Sequence, residues 1–513
     1  MDDITRTAAY PLTRSVPLAL SRKLLWLPDD ARTMGIHIQA GKGSGKSRLM
    51  GRLIAWFDFI RGVPLVIFDP HGPTIDNFLD KITRMPRGIQ ERLWPRVLYV
   101  DMSGHSGQVI PFPLYYRLDT ESLYEISQRY LDVVRKLDPY LQTASVEGWN
   151  PFWRTGTYTG IILAALNFQI TEAEKLLRNP STWEHRCRNV LTTYPEAEPA
   201  VSYFQELSDT RENIRNRRTE SFFNKISLFS LDPSMKAMFG SGELGVDWKN
   251  VIRQHLAVLL DFRQEYDVER RQFKMIWAFN YFMDFVKRRG AGRHHPISLI
   301  IDELSSLFSI ETLAGQVFSK ELDELINVIA RNYRVWLTIA HQEQFQLTPR
   351  MQKSLMTLGT QVLGATSDSE ASLASAKQFF HYDPYLVRKY EATGSTGIRS
   401  VEFKADEQFL LDSYNFTNLG RFQFLVRPAH KEGEVGRSLR QISIAGLDQD
   451  LFPNEELVTQ ARKLLMKRSG KPVGEVLVEI ENRFLQKKGL SKLQDKALKD
   501  KTSEMDKPSL WTY

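Results

Sequence analysis

The sequence predicts an α/β protein whose core is a doubly wound, parallel-rich sheet interrupted by an all-helical insertion. Three observations predict it. Seven short and nearly continuous apolar runs recur along the chain, the pattern of strands covered on both faces. Segments with helical spacing separate most of those runs. Between the third and fourth run, over residues 112–245, strand signals vanish and helical signals dominate.

The strand candidates are residues 35–40, 64–69, 96–101, 255–261, 297–302, 335–340 and 360–365. After the first, Leu49, Met50, Leu53, Ile54, Phe57 and Ile60 follow helical spacing, and Gly62 with Pro64 ends that helix. Further helices are expected over 321–332 and 367–379. In the insertion, Leu123, Ile126, Tyr130, Val133, Val134 and Leu137 form one amphipathic face. The stretches 158–168, 180–192 and 203–229 also read as helical. The turn-rich segments 111–113 and 240–245 connect the insertion to the core. The expected division is therefore a core domain from residues 1–111 and 246–445, an inserted helical domain over 112–245, and a basic helical C-terminal extension over 446–513.

Composition fits this reading. The 513 residues exceed one ordinary domain, and 42% hydrophobic with 25% charged residues is globular, which excludes wholesale disorder. No apolar run approaches the ~20 residues that cross a bilayer, and no secretory leader opens the chain, so the cytoplasm is expected. A single cysteine, Cys187, excludes an intramolecular disulfide and a cysteine-based zinc site. The net charge of +7 is concentrated late, with twelve Lys and Arg against five Asp and Glu between Arg462 and Lys501.

The clearest chemical signal is Ala40-Gly41-Lys42-Gly43-Ser44-Gly45-Lys46-Ser47-Arg48, placed between a strand and a helix. Glycines let the backbone N–H groups wrap a phosphate chain, and the helix turns its positive end toward it. Lys46 is expected at the β and γ phosphates and Ser47 at magnesium. Ala40 stands where such loops carry their first glycine. A second signal is Leu299-Ile-Ile-Asp302-Glu303, in which Asp302 faces the metal and Glu303 polarises the attacking water. Gln342, at the tip of the strand 335–340, suits a γ-phosphate sensor. Arg331 and Arg334 are candidates for a charge that stabilises the transition state, with a solvated helix-end arginine as the plain alternative for Arg331. His341 is expected to pack, and His294-His295 lacks the partners of a metal site.

The order of these motifs carries a resemblance. AGKGSGKS, then LVIFDPHG at residues 65–72, a long helical insertion, LIIDE, and ARNYRVWLTIAHQ are similar to the HerA–FtsK superfamily of DNA-pumping ATPases, and most resemble the TraG/TraD-like coupling proteins of type IV secretion over roughly residues 30–430. The resemblance implies a RecA-like P-loop core, ATP and Mg2+, and a homo-hexameric ring that moves DNA; a motor must hold the DNA backbone without reading bases, since a specific grip would trap it. A relaxase and secretion-channel components are the expected partners, and since membrane attachment is not inherited from the resemblance, docking at the inner membrane is expected only through a partner. The resemblance matches Lys46 and Ser47 to the P-loop, Asp302 and Glu303 to Walker B, Gln342 to the sensor and Arg331 to the finger arginine. The chain departs from the family in lacking membrane-spanning helices, in carrying His341 where threonine is frequent, and in Arg334 where glycine is common.

Two basic features suit contact with DNA phosphate: Arg211, Arg215 and Arg218 on one helical face, which also fits a cargo protein and reads first as a solvated face laced with Glu212 and Glu220, and lysines 487, 488, 492, 496 and 499 in the tail, for which a solubilising role is the alternative. The rival readings are a HerA-like DNA-processing motor, a small-molecule P-loop kinase, and a nucleotide-switched binding module.

Overall fold

The computed structural model describes residues 15–19, 25–118, 121–137, 151–292, 294–303, 321–342, 347–366, 368–393, 397–431, 433–435, 439–444 and 452–485. They form two compact units, one from residues up to Ser103 together with Asp247–Ser469, the other from Gly104–Val246 together with the chain from Gly470 onward.

In the first unit, the apolar runs assemble one nine-stranded sheet. Its strands are β1 (Ile36–Gln39), β2 (Leu65–Asp69), β3 (Val97–Asp101), β4 (Ala257–Asp261), β5 (Ile297–Ile301), β6 (Val335–His341), β7 (Thr360–Gly364), β8 (Gln423–Arg427) and β9 (Arg440–Ser443). The order across the sheet is β9-β8-β7-β1-β6-β5-β2-β4-β3. The first seven run parallel, whereas β8 lies antiparallel to β7 and β9 antiparallel to β8. Every residue of β1, β2, β4, β5, β6 and β7 is buried, as two-sided cover requires. Parallel direction puts all their C-terminal ends on one edge, where an open α/β sheet presents its ligand site.

The seven strands expected from sequence are those seven. The two additional strands escaped that reading because β8 alternates buried with half-buried residues over five positions and β9 has four residues, two of them exposed. Alternation this short does not stand out from loop sequence.

Two polar assemblies lie inside this apolar frame. Asp58, on the helix 46–60 that follows β1, receives the Arg32 guanidinium at 2.7 Å and the Ser298 hydroxyl at 2.7 Å. Its pair with Arg32 is fully buried, and a buried pair of this kind is costly to break from one side. On β1, His37 lies 2.6 Å from Gln361 on β7 and 2.7 Å from His341 on β6. Burial pushes the His37 imidazole down to about 4, against the raising effect of the Gln361 hydrogen bond.

The second unit is helical. Helices Leu123–Leu137 and Pro151–Ala165 pack against each other, with Glu212–Ile226, Glu198–Asp209 and Ile170–Arg178 around the latter. The expected continuous helix over 203–229 is broken after Asp209 and again at Ser227. The chain enters and leaves side by side: Gly245 N–H donates to Pro111 C=O at 3.0 Å and Phe112 N–H to Met238 C=O at 2.7 Å.

The helices of the C-terminal segment divide between the units. Glu455–Ser469 lies with the sheet, where Asn454 N–H donates to Asp80 at 2.8 Å and Arg468 reaches the carbonyls of Trp94 and Val97. Val473–Leu485 lies with the helical unit, pinned by Arg483 on buried Glu172 at 2.6 Å. No helix among the described residues is long and apolar enough to cross a membrane.

The His37 shift has a definite sign. A histidine depressed in the fold stays neutral there while the unfolded chain takes up a proton, so stability is lost as pH falls from about 6.5 toward about 4. Between pH 7 and pH 5 this one group is expected to remove about 2 kcal/mol. Urea unfolding of the wild type and His37→Gln at both pH values checks it, with the variant showing that much less acid loss.

Candidate active site

The site grows from the turn after β1. Ala40, buried to 1%, fits there because Gly364 on the neighbouring strand has no side chain, and a Cβ on Gly364 would stand 2.4 Å from that of Ala40. The departure from glycine at position 40 is thus matched by a glycine beside it. Gly41 N–H donates to Ala365 C=O at 2.8 Å, and Phe422 N–H donates to Ser44 C=O at 3.0 Å, so the loop is anchored on two sides. Gly45 takes φ 106°, and any Cβ there would meet the Phe422 ring at 2.5 Å. Lys42 and Gly43 face solvent. A helix begins at Lys46, with its first N–H groups turned toward the loop, as phosphate binding needs.

Lys46 is buried, and its ammonium donates to Ala40 C=O at 2.7 Å. Burial lowers its pKa from the ordinary value, opposed by the nearby Glu303 and Asp302 carboxylates. Arg48, the last residue of the expected phosphate loop, lies over the Phe422 ring with its guanidinium carbon 5.2 Å from the centroid.

Ser47, Asp302 and Thr74 meet at one oxygen. The Ser47 hydroxyl donates to Asp302 Oδ2 at 3.1 Å and the Thr74 hydroxyl to the same atom at 2.6 Å. Thr74 is carried by helix Pro73–Thr83, which approaches the helix 46–60 at Gly51. A Cβ at Gly51 would lie 2.4 Å from the Thr74 carbonyl oxygen. The turn before Thr74 is folded by Asp69, whose carboxylate accepts from the N–H groups of Gly72 at 2.6 Å, Ile75 at 3.0 Å and His71 at 3.1 Å. Burial raises the Asp69 carboxyl to about 8, with Asp302 and Asp261 adding repulsion. Burial likewise raises Asp302, against the Thr74 and Ser47 hydroxyls and the Lys46 charge.

Glu303 stands beside Asp302 in a left-handed conformation, φ 51°, uncommon for a residue with a side chain. Gln342, just past β6, donates from Nε2 to Glu303 Oε2 at 2.6 Å. Lys46, Ser47, Asp302, Glu303 and Gln342 therefore share the C-terminal edge of the sheet.

Arg331 and Arg334 do not join them. Both precede β6, at the opposite edge, a strand length of about 20 Å away. Arg331 is exposed and Arg334 half-buried. Of the expected DNA contacts, Arg218 is engaged by Glu206 at 2.7 Å, and the tail lysines lie outside the described residues. No group of three or more His, Cys, Asp or Glu among the described residues could hold a metal ion, and the His295 ring packs 5.3 Å from that of His255. Buried Cys187 has its thiol pushed up to about 12.

The donors fit magnesium. A serine hydroxyl and a carboxylate offer the hard oxygens that magnesium takes, and the Ser47 and Asp302 oxygens meet beside the phosphate loop. Sequence reading missed Thr74, Asp69 and Phe422. Asp69 and Thr74 lie in and just after the motif at residues 65–72, whereas nothing in the sequence brings Phe422 next to position 45.

No family model matches the sequence, and no curated protein matches it. Among solved structures, the unbound monoclinic form of the bacterial conjugative coupling protein TrwBdeltaN70 is similar at TM-score 0.51 and 12% identity, over 88% of this chain and 93% of that one. Its trigonal form in complex with sulphate gives 0.50 and 14% over 89% and 93%. VirB4 of Thermoanaerobacter pseudethanolicus aligns more loosely, at 0.46 and 13% over 87% and 99%. The likeness to the coupling protein is one of fold: a RecA-like P-loop core with a mostly parallel central sheet.

Thr74→Val removes one of the two hydroxyls that orient Asp302. Outer partners of a metal-facing carboxylate are typically worth ~10- to 100-fold in affinity. Titration of magnesium into the protein with ADP, read by calorimetry, is expected to weaken by about 10-fold.

Proposed function

We propose that this chain is a magnesium-dependent ATPase that drives DNA translocation, of the conjugative coupling type. The observation that carries the ATPase reading is the convergence of Lys46, Ser47, Asp302, Glu303 and Gln342 on one sheet edge. The DNA and transfer parts rest on the order of sequence motifs and on the shared fold with a protein described as a bacterial conjugative coupling protein.

In this reading the loop from Ala40 to Arg48 wraps the phosphates, and Lys46 exchanges the Ala40 carbonyl for phosphate oxygens. Its desolvated ammonium interacts strongly there, because little water competes. Ser47 and Asp302 would hold magnesium, which would supply charge neutralisation on the phosphates. Glu303 accepts the proton of the attacking water, and Gln342 holds that carboxylate in place and registers loss of the γ-phosphate.

Arg331 lies at the far edge of its own sheet, so it suits the site of an adjacent copy in a homo-hexameric ring. Such an assembly moves DNA by phosphate contacts without reading bases. A relaxase and the components of a secretion channel are the proposed partners, and a cytoplasmic protein docked at the inner membrane through them is the proposed setting.

Glu303→Gln separates binding from turnover. It is expected to bind ATP as the wild type does and to lose about 10²- to 10⁴-fold in hydrolysis rate. A phosphate-release assay with DNA present checks this; undiminished turnover contradicts the role given to Glu303.

A further inference from the structure

His37, His341 and Gln361 form a polar chain across three adjacent strands, and all three are less than 2% exposed. Hydrogen-bond logic fixes its direction. The Gln361 amide nitrogen donates to the carbonyls of Leu358 at 2.7 Å and Leu355 at 3.1 Å, which leaves Oε1 as an acceptor. His37 Nδ1, 2.6 Å from that oxygen, therefore carries a proton. A neutral imidazole protonated at Nδ1 presents a lone pair at Nε2. His341 Nε2, 2.7 Å away, must then be the donor. The two rings stack with centroids 4.9 Å apart.

The position of this chain matters more than its polarity. Parallel strands are held by their backbones and need no buried side-chain ladder, and each polar group taken from water must recover its desolvation cost. Here the ladder ties β1, which leads into the phosphate loop, to the last residue of β6. The next residue is Gln342, whose amide meets Glu303 at 2.6 Å. The direction of the His341 side chain thus sets the exit of the chain toward Gln342.

We infer that His341, held by His37 and Gln361, is a positioning residue that fixes Gln342 against Glu303 and registers the pair to the phosphate loop. This rests on the ATPase reading above.

The test compares steady-state ATP hydrolysis by the wild type, His341→Leu and His341→Gln. Leucine fills the space without a donor, and kcat is expected to fall roughly 10- to 100-fold with KM for ATP changed by no more than about twofold. The glutamine amide can donate to His37 Nε2 in place of the imidazole, and kcat is expected to return to within about threefold of wild type. Unchanged kcat in His341→Leu, or a glutamine variant no better than leucine, overturns the inference and leaves the ATPase reading standing. A wild type without ATP turnover overturns both. If the leucine variant fails to fold, nitrogen NMR of the histidine-labelled wild type decides: His37 protonated at Nδ1 and bare at Nε2 supports the inference, and the reverse tautomer overturns it.

Discussion

The structure depends on one carboxylate oxygen. Asp302 Oδ2 accepts hydroxyl hydrogens from Ser47 and Thr74, so three segments distant in sequence are drawn to one point: the start of the helix 46–60, the start of helix Pro73–Thr83 and the end of β5. The sheet makes this possible because β2 and β5 are neighbours and run the same way, and β1 reaches the same edge two strands from β5, past β6. Burial, with repulsion from adjacent carboxyls, raises both Asp302 and Asp69.

A second constraint is the length of β6. Its tip delivers Gln342 to Glu303, while the turn before it leaves Arg331 and Arg334 at the opposite edge. No rotamer of an arginine side chain spans that separation, so in the proposed ATPase neither arginine reaches the phosphate loop of its own chain. Closed head-to-tail assembly of identical copies brings unlike edges together, and a ring does so without leaving a free end.

Most of the sheet was legible in the sequence because strands buried on both faces are apolar throughout and need no partner to be recognised. The phosphate loop and the Asp302-Glu303 pair were legible for another reason: their chemistry demands particular residues in a short span. What escaped notice depends on contacts between distant positions. Phe422 closes on Gly45 across a strand connection, Thr74 reaches Asp302 only because Gly51 lets two helices approach, and helix Glu455–Ser469 lies with the sheet through Asp80, Trp94 and Val97. His341 reads as a packing residue until Gln361 fixes its partner. None of these has a periodicity of its own.

In the proposed motor, a neighbouring copy completes the hydrolytic centre. Mixing two inactive variants tests it: Lys46→Ala, which keeps Arg331 but lacks the phosphate contact, and Arg331→Ala, which keeps the phosphate loop. Each variant alone is expected to hydrolyse ATP poorly, and the mixture to exceed the sum of the two, because some seams then join an intact loop to an intact arginine. Full activity in Arg331→Ala alone, or a mixture no better than its parts, would contradict it.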